Sequence, residues 1–193
     1  MNNKIVLITG ASKGIGLAVA KKFAASGSTV ILTSSNATRL KNCSNEIENA
    51  GGRASYHPCD LRKLKGCESL ADFIKTETQK LDILVHCAGA TQSGPFLEQN
   101  DETWMDGFAL KFHGAVRTTR ILWPYLVKSQ GSLINIIGGA ARTPNHNFLI
   151  GGAVNAALSS FTKGLSNLGK IDGVQVNAIH PGLTKTERME TLL

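Results

Sequence analysis

Three glycines near the N-terminus, Gly10, Gly14 and Gly16, are spaced as in a turn that holds a phosphate group. An apolar run at residues 5–8 precedes them and has the length and β-branched content of a buried strand. A helical period begins directly after them, at Leu17. A helix N-terminus carries partial positive charge and free N–H groups, and glycines let the backbone approach a ligand closely. The order strand, glycine turn and helix therefore predicts dinucleotide binding, against the alternative of a plain tight turn.

Several segments match one known family in the order in which that family has them. They are Thr9-Gly10-Ala11-Ser12-Lys13-Gly14-Ile15-Gly16, Asp60-Leu61, Ala88-Gly89, Asn135 and Pro181-Gly182. The chain therefore resembles the short-chain dehydrogenase/reductase family over essentially its whole length. The resemblance implies an oxidoreductase that uses a nicotinamide cofactor on a small carbonyl or alcohol substrate. It also implies cofactor binding by the residues of the glycine turn, which are Gly10, Ser12, Lys13, Gly14, Ile15 and Gly16.

The end of the second predicted strand is where a dinucleotide-binding chain shows its cofactor preference. An acidic residue there hydrogen-bonds the ribose hydroxyls of NAD and repels a 2′-phosphate. This chain has Ser34 and Ser35 instead of a carboxylate, and Lys13 adds a cation where that phosphate would lie. We therefore expect NADP(H) rather than NAD(H). The alternative is that Lys13 is merely exposed to solvent and that the hydroxyls cap the helix beginning at Ala37.

The resemblance assigns two segments in the middle of the chain to the cofactor. Asp60-Leu61 ends the third predicted strand, where the family contacts adenine, although Asp60 is equally suited to a turn. Ala88-Gly89 are small residues that let the backbone pass close to the cofactor ribose. Cys87 precedes them where the family usually has an asparagine, so the side-chain amide is lost.

The segment after the sixth predicted strand matches the last of the family's cofactor contacts. Pro181-Gly182 resembles the turn that lies against the nicotinamide, and Thr184 and Thr186 follow as candidate carboxamide or phosphate contacts. The family usually continues through a mobile substrate-covering segment and a seventh strand, whereas this sequence ends at Leu193. We expect the C-terminal part of the family fold to be absent, either because this is a short form or because a tail is omitted.

The family's chemistry needs an acid or base at the substrate oxygen, and the residues that supply it are replaced here. In the family a tyrosine transfers the proton and a lysine four residues later lowers its pKa, while a serine holds the substrate oxygen and an asparagine supports a proton relay. The matching positions carry Gly151 for the tyrosine, Asn155 for the lysine, Gly138 for the serine and Lys111 for the asparagine. The usual mechanism is therefore predicted to be absent.

A different alignment does not restore the tyrosine–lysine pair. Tyr56 and Tyr125, the only tyrosines, are followed four residues later by Asp60 and Ser129. Losing a positioned acid or base costs on the order of 100- to 10,000-fold in rate. Lys111 is the candidate substitute, as a cation near the reacting atoms, against the alternative of a structural or surface lysine. Three histidines are weaker candidates, since histidines in such places are more often structural: His113, His146 and His180.

Composition argues against several other classes of protein. The chain has 193 residues, 42% of them hydrophobic, and a formal net charge of +7 without any run of Lys or Arg longer than two. Scattered charge of this kind is typical of a solvated surface and does not favour nucleic-acid binding. Four cysteines without a C-x-x-C pair favour a reducing cytosol. No apolar run is long enough to span a membrane, and no metal-binding motif occurs.

The elements that must position these residues follow from the hydrophobic periodicity. Strands are predicted at residues 5–8, 29–33, 53–58, 81–87, 132–137 and 174–179, and helices from 17 and at 37–50, 64–78, 102–128 and 152–168. Apolar strands alternating with helices predict an α/β fold, a doubly wound parallel sheet of Rossmann type in one domain, residues 1–193. Ligands then bind at the carboxyl ends of the strands.

Two functional hypotheses follow. The first is an NADP(H)-binding oxidoreductase for a small carbonyl or alcohol substrate. The second is a catalytically inert relative that binds the dinucleotide as a sensor, scaffold or partner subunit. Tight cofactor binding without turnover would favour the second. The family forms dimers and tetramers through the helices that begin here at Glu102 and Gly152, so we expect a homodimer or homotetramer in either case.

Overall fold

A computed structural model describes residues 3–187 of the chain. The strands are β1 Ile5–Thr9, β2 Thr29–Ser34, β3 Arg53–Pro58, β4 Ile83–His86, β5 Ser132–Ile136 and β6 Gln175–Ile179. The helices are α1 Gly14–Ala25, α2 Ala37–Asn49, α3 Leu64–Glu77, α4 Asp101–Phe108, α5 Gly114–Ser129 and α6 Leu149–Asp172. The six strands form one parallel sheet in the order β3-β2-β1-β4-β5-β6. The predicted doubly wound Rossmann-type sheet is confirmed.

The central strand β1 shows why helices must cover both faces of this sheet. Val6, Leu7 and Ile8 are fully buried, and successive side chains of a strand point to opposite faces. Leu7 belongs to an apolar cluster with side chains of α3 and α5. Val6 and Ile8 belong to a second cluster with side chains of α1 and α2. Burial of apolar surface on both faces therefore holds the sheet between two layers of helices.

The fourth strand begins at Ile83, two residues later than its apolar pattern predicts, and Asp82 just before it links β4 to β1. Its buried carboxylate accepts hydrogen bonds from the backbone N–H of Ile5 at 2.8 Å and from the ammonium of Lys4 at 3.0 Å. Burial raises the pKa of Asp82, but the Ile5 N–H and the ammonium groups of Lys4 and Lys80 outweigh it, so the net pKa lies below its usual value. These contacts tie the start of β1 to the start of β4.

The long helix predicted at 102–128 is interrupted in the structure. It consists of α4, a π-helical turn at Ala109–His113, and α5. A π-helical turn inserts an extra residue into the helix and therefore shifts the faces that the flanking segments present. Lys111 lies within this turn. Phe112, beside it, packs edge-on against Phe161 of α6 with ring centroids 6.2 Å apart.

The last helix is longer than predicted, since α6 begins at Leu149 and ends at Asp172. The two glycines at 151 and 152 lie inside its first turn rather than marking its start. Across the part of the chain that the structure describes, no helix has both the length and the apolar character needed to cross a membrane.

Candidate functional site

A cleft of about 790 Å³ lies at the carboxyl ends of the first four strands. The strand order reverses direction between β1 and β4, and in open α/β sheets such a switch point is where ligands bind. Most of the residues expected to bind a cofactor line this cleft: Gly10, Ser12, Lys13, Gly14, Ile15, Gly16, Ser34, Ser35, Asp60, Leu61, Ala88 and Gly89. The volume lies within the range of small-molecule and cofactor sites.

The glycine turn is packed too tightly for larger residues. Gly10 has a φ of +64°, and a Cβ there would lie 2.8 Å from the backbone N of Ala88. Gly14 also has a left-handed φ, +54°, and a Cβ at Gly16 would overlap the carbonyl oxygen of Gly10. Thr9 at the end of β1 also holds the segment after β4, because its Oγ1 accepts the N–H of Ala88 at 3.1 Å. The ends of β1 and β4 are thereby held together at the base of the cleft.

The N-terminus of α1 is suited to an anion. Its N-cap, Lys13, makes no side-chain capping hydrogen bond, and no acidic residue lies in the first turn. The first N–H groups of a helix have no partner within it, and the helix dipole favours negative charge there. Gly14 and Gly16 bring these N–H groups to the wall of the cleft without side chains in the way. The arrangement is one that binds phosphate in other proteins.

Two cations and one carboxylate meet beside the end of β2. The Nζ of Lys13 lies 3.6 Å from Oε2 of Glu187, and Nη1 of Arg39 lies 3.2 Å from the same oxygen. Arg39 and Glu187 were missed from the sequence, although Arg39 could have been found as a basic residue one turn into the helix after β2. The hydroxyl cap considered for α2 is wrong, since the side chain of Asn36 accepts the N–H of Arg39 at 2.9 Å.

Asp60 forms the turn after β3 and also joins an ion-pair network. Its Oδ1 accepts the backbone N–H of Arg62 at 3.1 Å. The guanidinium of Arg62 contacts both carboxylate oxygens of Asp106 on α4, at 2.5 and 3.3 Å. Hydrogen bonding to Asp106 raises the pKa of Arg62 above its usual value. The Arg62–Asp106 pair therefore connects the β3 end of the cleft to the helix on its other side, a contact that the sequence did not reveal.

Lys111 lies behind the wall formed by Ala88 and Gly89. A Cβ at Gly89 would lie 2.8 Å from Cδ of Lys111, so the glycine makes room for this side chain. The Lys111 ammonium donates a hydrogen bond to the carbonyl of Ile137, just beyond β5. Burial raises the pKa of Cys87 to about 12, although the nearby charge of Lys111 acts in the opposite direction. Cys87 is thus a neutral thiol at neutral pH, whereas Lys111 brings a cation to the end of β5.

Packing is tight around the positions that the sequence resemblance assigns to the family's tyrosine, lysine and serine, namely Gly151, Asn155 and Gly138. A Cβ at Gly151 would overlap the aromatic ring of Phe148. Gly138 has a φ of +131°, and a Cβ there would lie 3.0 Å from Nδ2 of Asn155. The Oδ1 of Asn155 is buried and has no hydrogen-bond partner among residues 3–187. Phe148 and Asn155 therefore fill the space where a phenol or a serine hydroxyl would have to be placed.

Most of the remaining candidates lie outside the cleft. His113 and His146 are exposed, and Nδ1 of His180 lies 3.2 Å from the carbonyl oxygen of Gly138. Thr186 lines the cleft, whereas Pro181, Gly182 and Thr184 do not. Thr184 instead donates from its hydroxyl to the carbonyl of Gly182 at 3.1 Å. Residues 3–187 contain no group of three or more His, Cys, Asp or Glu side chains placed to hold a metal ion.

Comparison with known proteins places this geometry in context. Residues 4–193 match the family described as short chain dehydrogenase. A fatty acyl-CoA reductase of Acinetobacter baylyi is 32% identical over 191 residues, which are 96% of this chain and 64% of that protein. This chain therefore spans somewhat less than two thirds of the length of that relative.

Two solved structures have closely similar folds. The L-sorbose reductase of Gluconobacter frateurii, complexed with NADPH and L-sorbose, superposes with a TM-score of 0.95 at 29% identity, covering 100% of this chain and 74% of that one. A variant of actinorhodin polyketide ketoreductase with NADPH gives a TM-score of 0.95 at 26% identity, covering 100% of this chain and 76% of that one. This chain thus shares its fold with two reductases whose structures contain NADPH.

Proposed function

Because the chain belongs to the short-chain dehydrogenase family, we propose that its cleft binds NADP(H) and that it is an oxidoreductase for a small carbonyl or alcohol substrate. The observation that carries the proposal is the uncapped N-terminus of α1 beneath the glycine turn, at the switch point of the sheet. Similar folds solved with NADPH support it.

The preference for NADP(H) rests on charge at the adenosine end of the cleft. Lys13 and Arg39 are both within reach of one carboxylate oxygen, so they can converge on a phosphate oxygen as well. Strand β2 ends at Ser34, and the hydroxyl residues Ser34 and Ser35 line the cleft and do not repel a 2′-phosphate. A dinucleotide without that phosphate would leave the two cations to solvent or to Glu187.

At the other end of the cleft, a group is needed that stabilises charge on the substrate oxygen or transfers a proton to it. A bound nicotinamide supplies or accepts a hydride. The Lys111 ammonium is held at the carboxyl end of the sheet by the Ile137 carbonyl. We assign it the role of a cation that stabilises negative charge developing on the substrate oxygen. Cys87 is unsuited to proton transfer, because burial raises its pKa to about 12.

The cofactor half of the proposal is tested by Lys13→Ala. This substitution removes a charge next to the expected 2′-phosphate, so the affinity for NADPH should fall about tenfold, as for the loss of one charged hydrogen bond. The affinity for NADH should change little. Calorimetric titrations of both proteins with both cofactors give the comparison. An equal loss for both cofactors would place Lys13 at a shared phosphate instead of at the 2′-phosphate.

The second candidate is an inert dinucleotide-binding relative acting as a sensor, scaffold or partner subunit. The observation in its favour is that the Phe148 ring occupies the space next to Gly151 where a proton-donating side chain would stand. A panel of small aldehydes, ketones and alcohols, followed by NADPH absorbance, separates the two. Turnover supports the oxidoreductase, whereas tight NADPH binding without turnover across the panel supports the inert relative.

We also propose a cytosolic homodimer or homotetramer. The expected contact surface is carried by α4, α5 and α6, and Met105 on α4 is an exposed large apolar residue there. Light scattering of the purified chain reports the number of subunits. Nucleic acid and membrane are not among the proposed partners.

A further inference from the structure

The carboxylate of Glu187 connects three segments that are distant in sequence. Glu187 follows β6, Lys13 belongs to the glycine turn after β1, and Arg39 lies on α2. A single oxygen, Oε2 of Glu187, lies 3.6 Å from Nζ of Lys13 and 3.2 Å from Nη1 of Arg39. The two cations therefore share one internal anion at the wall of the cleft.

The residue before Glu187, Thr186, lies beside the glycine turn. A Cβ at Gly14 would lie 3.5 Å from Cγ2 of Thr186, which is ordinary van der Waals contact. Thr186 and Glu187 both line the cleft together with Lys13, Ser34 and Ser35. The segment after β6 thus lies next to both the first turn of α1 and the end of β2.

The charges at this place cannot all be satisfied at once by an external phosphate and by Glu187. A phosphate monoester carries between one and two negative charges near neutral pH and has three acceptor oxygens. The Glu187 carboxylate would repel it and occupies the cations that would bind it. Glu187 is about 60% exposed and its partners about half exposed, so each pair is weak enough to exchange for a stronger anion.

We propose that Glu187 is an internal competitor for the 2′-phosphate of NADP(H), and that it thereby determines how strongly this chain discriminates NADPH from NADH. The proposal rests on the proposed function, because it assumes that the cleft binds a dinucleotide. NADPH binding must displace the Glu187 carboxylate from Lys13 and Arg39. NADH has no group at this position and leaves the two ion pairs in place.

If Glu187 competes with the 2′-phosphate, removing its charge should raise the affinity for NADPH. Glu187→Gln keeps the size of the side chain and removes its charge, so the Kd for NADPH should fall about 3- to 10-fold, the range expected for releasing two exposed pairs. The Kd for NADH should stay within about twofold. Glu48→Gln is the matched control, because it removes an exposed carboxylate from α2, the helix that carries Arg39. It should leave both values unchanged.

The contact between Glu187 and the cations is tested in a second background. Arg39→Met keeps the aliphatic stem and removes the charge, so the gain produced by Glu187→Gln should shrink when the two substitutions are combined. Adenosine 2′,5′-bisphosphate and AMP serve as probes of the adenosine end alone. The bisphosphate should bind Glu187→Gln more tightly than wild type, and AMP should not distinguish them.

The outcomes separate this proposal from the one it rests on. If wild type binds NADPH but Glu187→Gln binds it no more tightly, the competitor role is wrong and the proposed function stands. Equal gains for NADPH and NADH would also overturn the competitor role, since the effect would not involve the 2′-phosphate. If wild type and Glu187→Gln both bind neither cofactor nor the bisphosphate, both proposals fail.

Discussion

At the scale of single residues, the proposed oxidoreductase activity depends on Lys111. The sequence resemblance assigns Gly138, Gly151 and Asn155 to the family's serine, tyrosine and lysine positions, and none of the three can donate a proton at neutral pH. The Lys111 ammonium, held by the Ile137 carbonyl, is a charged group placed at the carboxyl end of the sheet. Relative to the family pattern, the lysine and the amide have changed places: Lys111 lies between α4 and α5, and Asn155 lies on α6. The role of Lys111 is therefore tested first.

Lys111→Met should separate binding from turnover. The thioether keeps most of the volume beside Gly89, so the affinity for NADPH should stay within about threefold. The rate of carbonyl reduction should fall about 100-fold or more, the usual effect of losing a group that serves the reacting oxygen. Lys128→Met, which removes an exposed lysine on α5, is the control in NADPH-coupled assays. Unchanged turnover in Lys111→Met would identify a structural lysine.

A buried histidine makes a prediction about acid stability. His86 is buried, and its Nε2 lies 3.0 Å from Oγ1 of Thr119. Burial lowers the pKa of His86 to about 3. The unfolded chain therefore binds one more proton than the folded chain between pH 6.5 and about 3, and stability falls as the pH decreases through that range.

The size of this effect can be measured by urea unfolding. One such histidine should lower the free energy of unfolding by about 2 kcal/mol between pH 7 and pH 5. His86→Gln should remove that part of the pH dependence, whatever it does to stability at pH 7. An identical slope in wild type and variant would show that His86 is protonated in the folded chain.

At the scale of elements, the start of α6 is shaped by the loop that precedes it. Phe148 folds back on Gly151, so the first turn of the helix has no room for a side chain there. Gly151→Ala should lower the free energy of unfolding by about 1–3 kcal/mol through overpacking. Gly164→Ala, in the same helix but with nothing within 4 Å, should instead raise it by up to about 1 kcal/mol.

Urea unfolding of these two variants gives the comparison, and a third variant identifies the cause. In a Phe148→Ala background the penalty for Gly151→Ala should largely disappear, because the ring that it overlaps is gone. If Gly151→Ala stabilises the chain as much as Gly164→Ala does, the ring does not occupy this place.

The elements also show which features were readable from the sequence. Strand β1, the glycine turn and α1 were predictable because their signals are local: an apolar run, three glycines and a helical period. The π-helical turn at Ala109–His113 was not, since aromatic residues spaced by four fit an uninterrupted helix equally well. The first turn of α6 was misread, because Gly151 and Gly152 look like a helix boundary until Phe148 is seen to pack there.

Part of the candidate site was likewise predictable from local sequence patterns, and part was not. The residues of the glycine turn and the short segments after β2, β3 and β4 could be assigned from their order, and they line one cleft. The Arg62–Asp106 pair and the meeting of Glu187 with Arg39 join residues 44 and 148 positions apart. Contacts of that sequence separation depend on how helices and loops return to the sheet, which no local pattern specifies.

At the scale of the whole molecule, the parallel sheet brings two kinds of site to one edge. The proposed adenosine end has the uncapped helix N-terminus of α1 and the cations Lys13 and Arg39. The proposed reacting end, beyond β4 and β5, has Lys111 and two tightly packed glycines, Gly138 and Gly151. The Rossmann-type architecture of the family extends over residues 3–187, and the departures from the family's residue pattern lie at the proposed reacting end.

The most direct test of this account is a calorimetric titration of the purified wild-type chain with NADPH and, separately, with NADH. The account predicts a Kd for NADPH below about 1 μM and a Kd for NADH at least about tenfold higher. Binding of NADH as tight as that of NADPH would contradict the assigned role of Lys13 and Arg39. Binding of neither would mean that the glycine turn is purely structural in this chain.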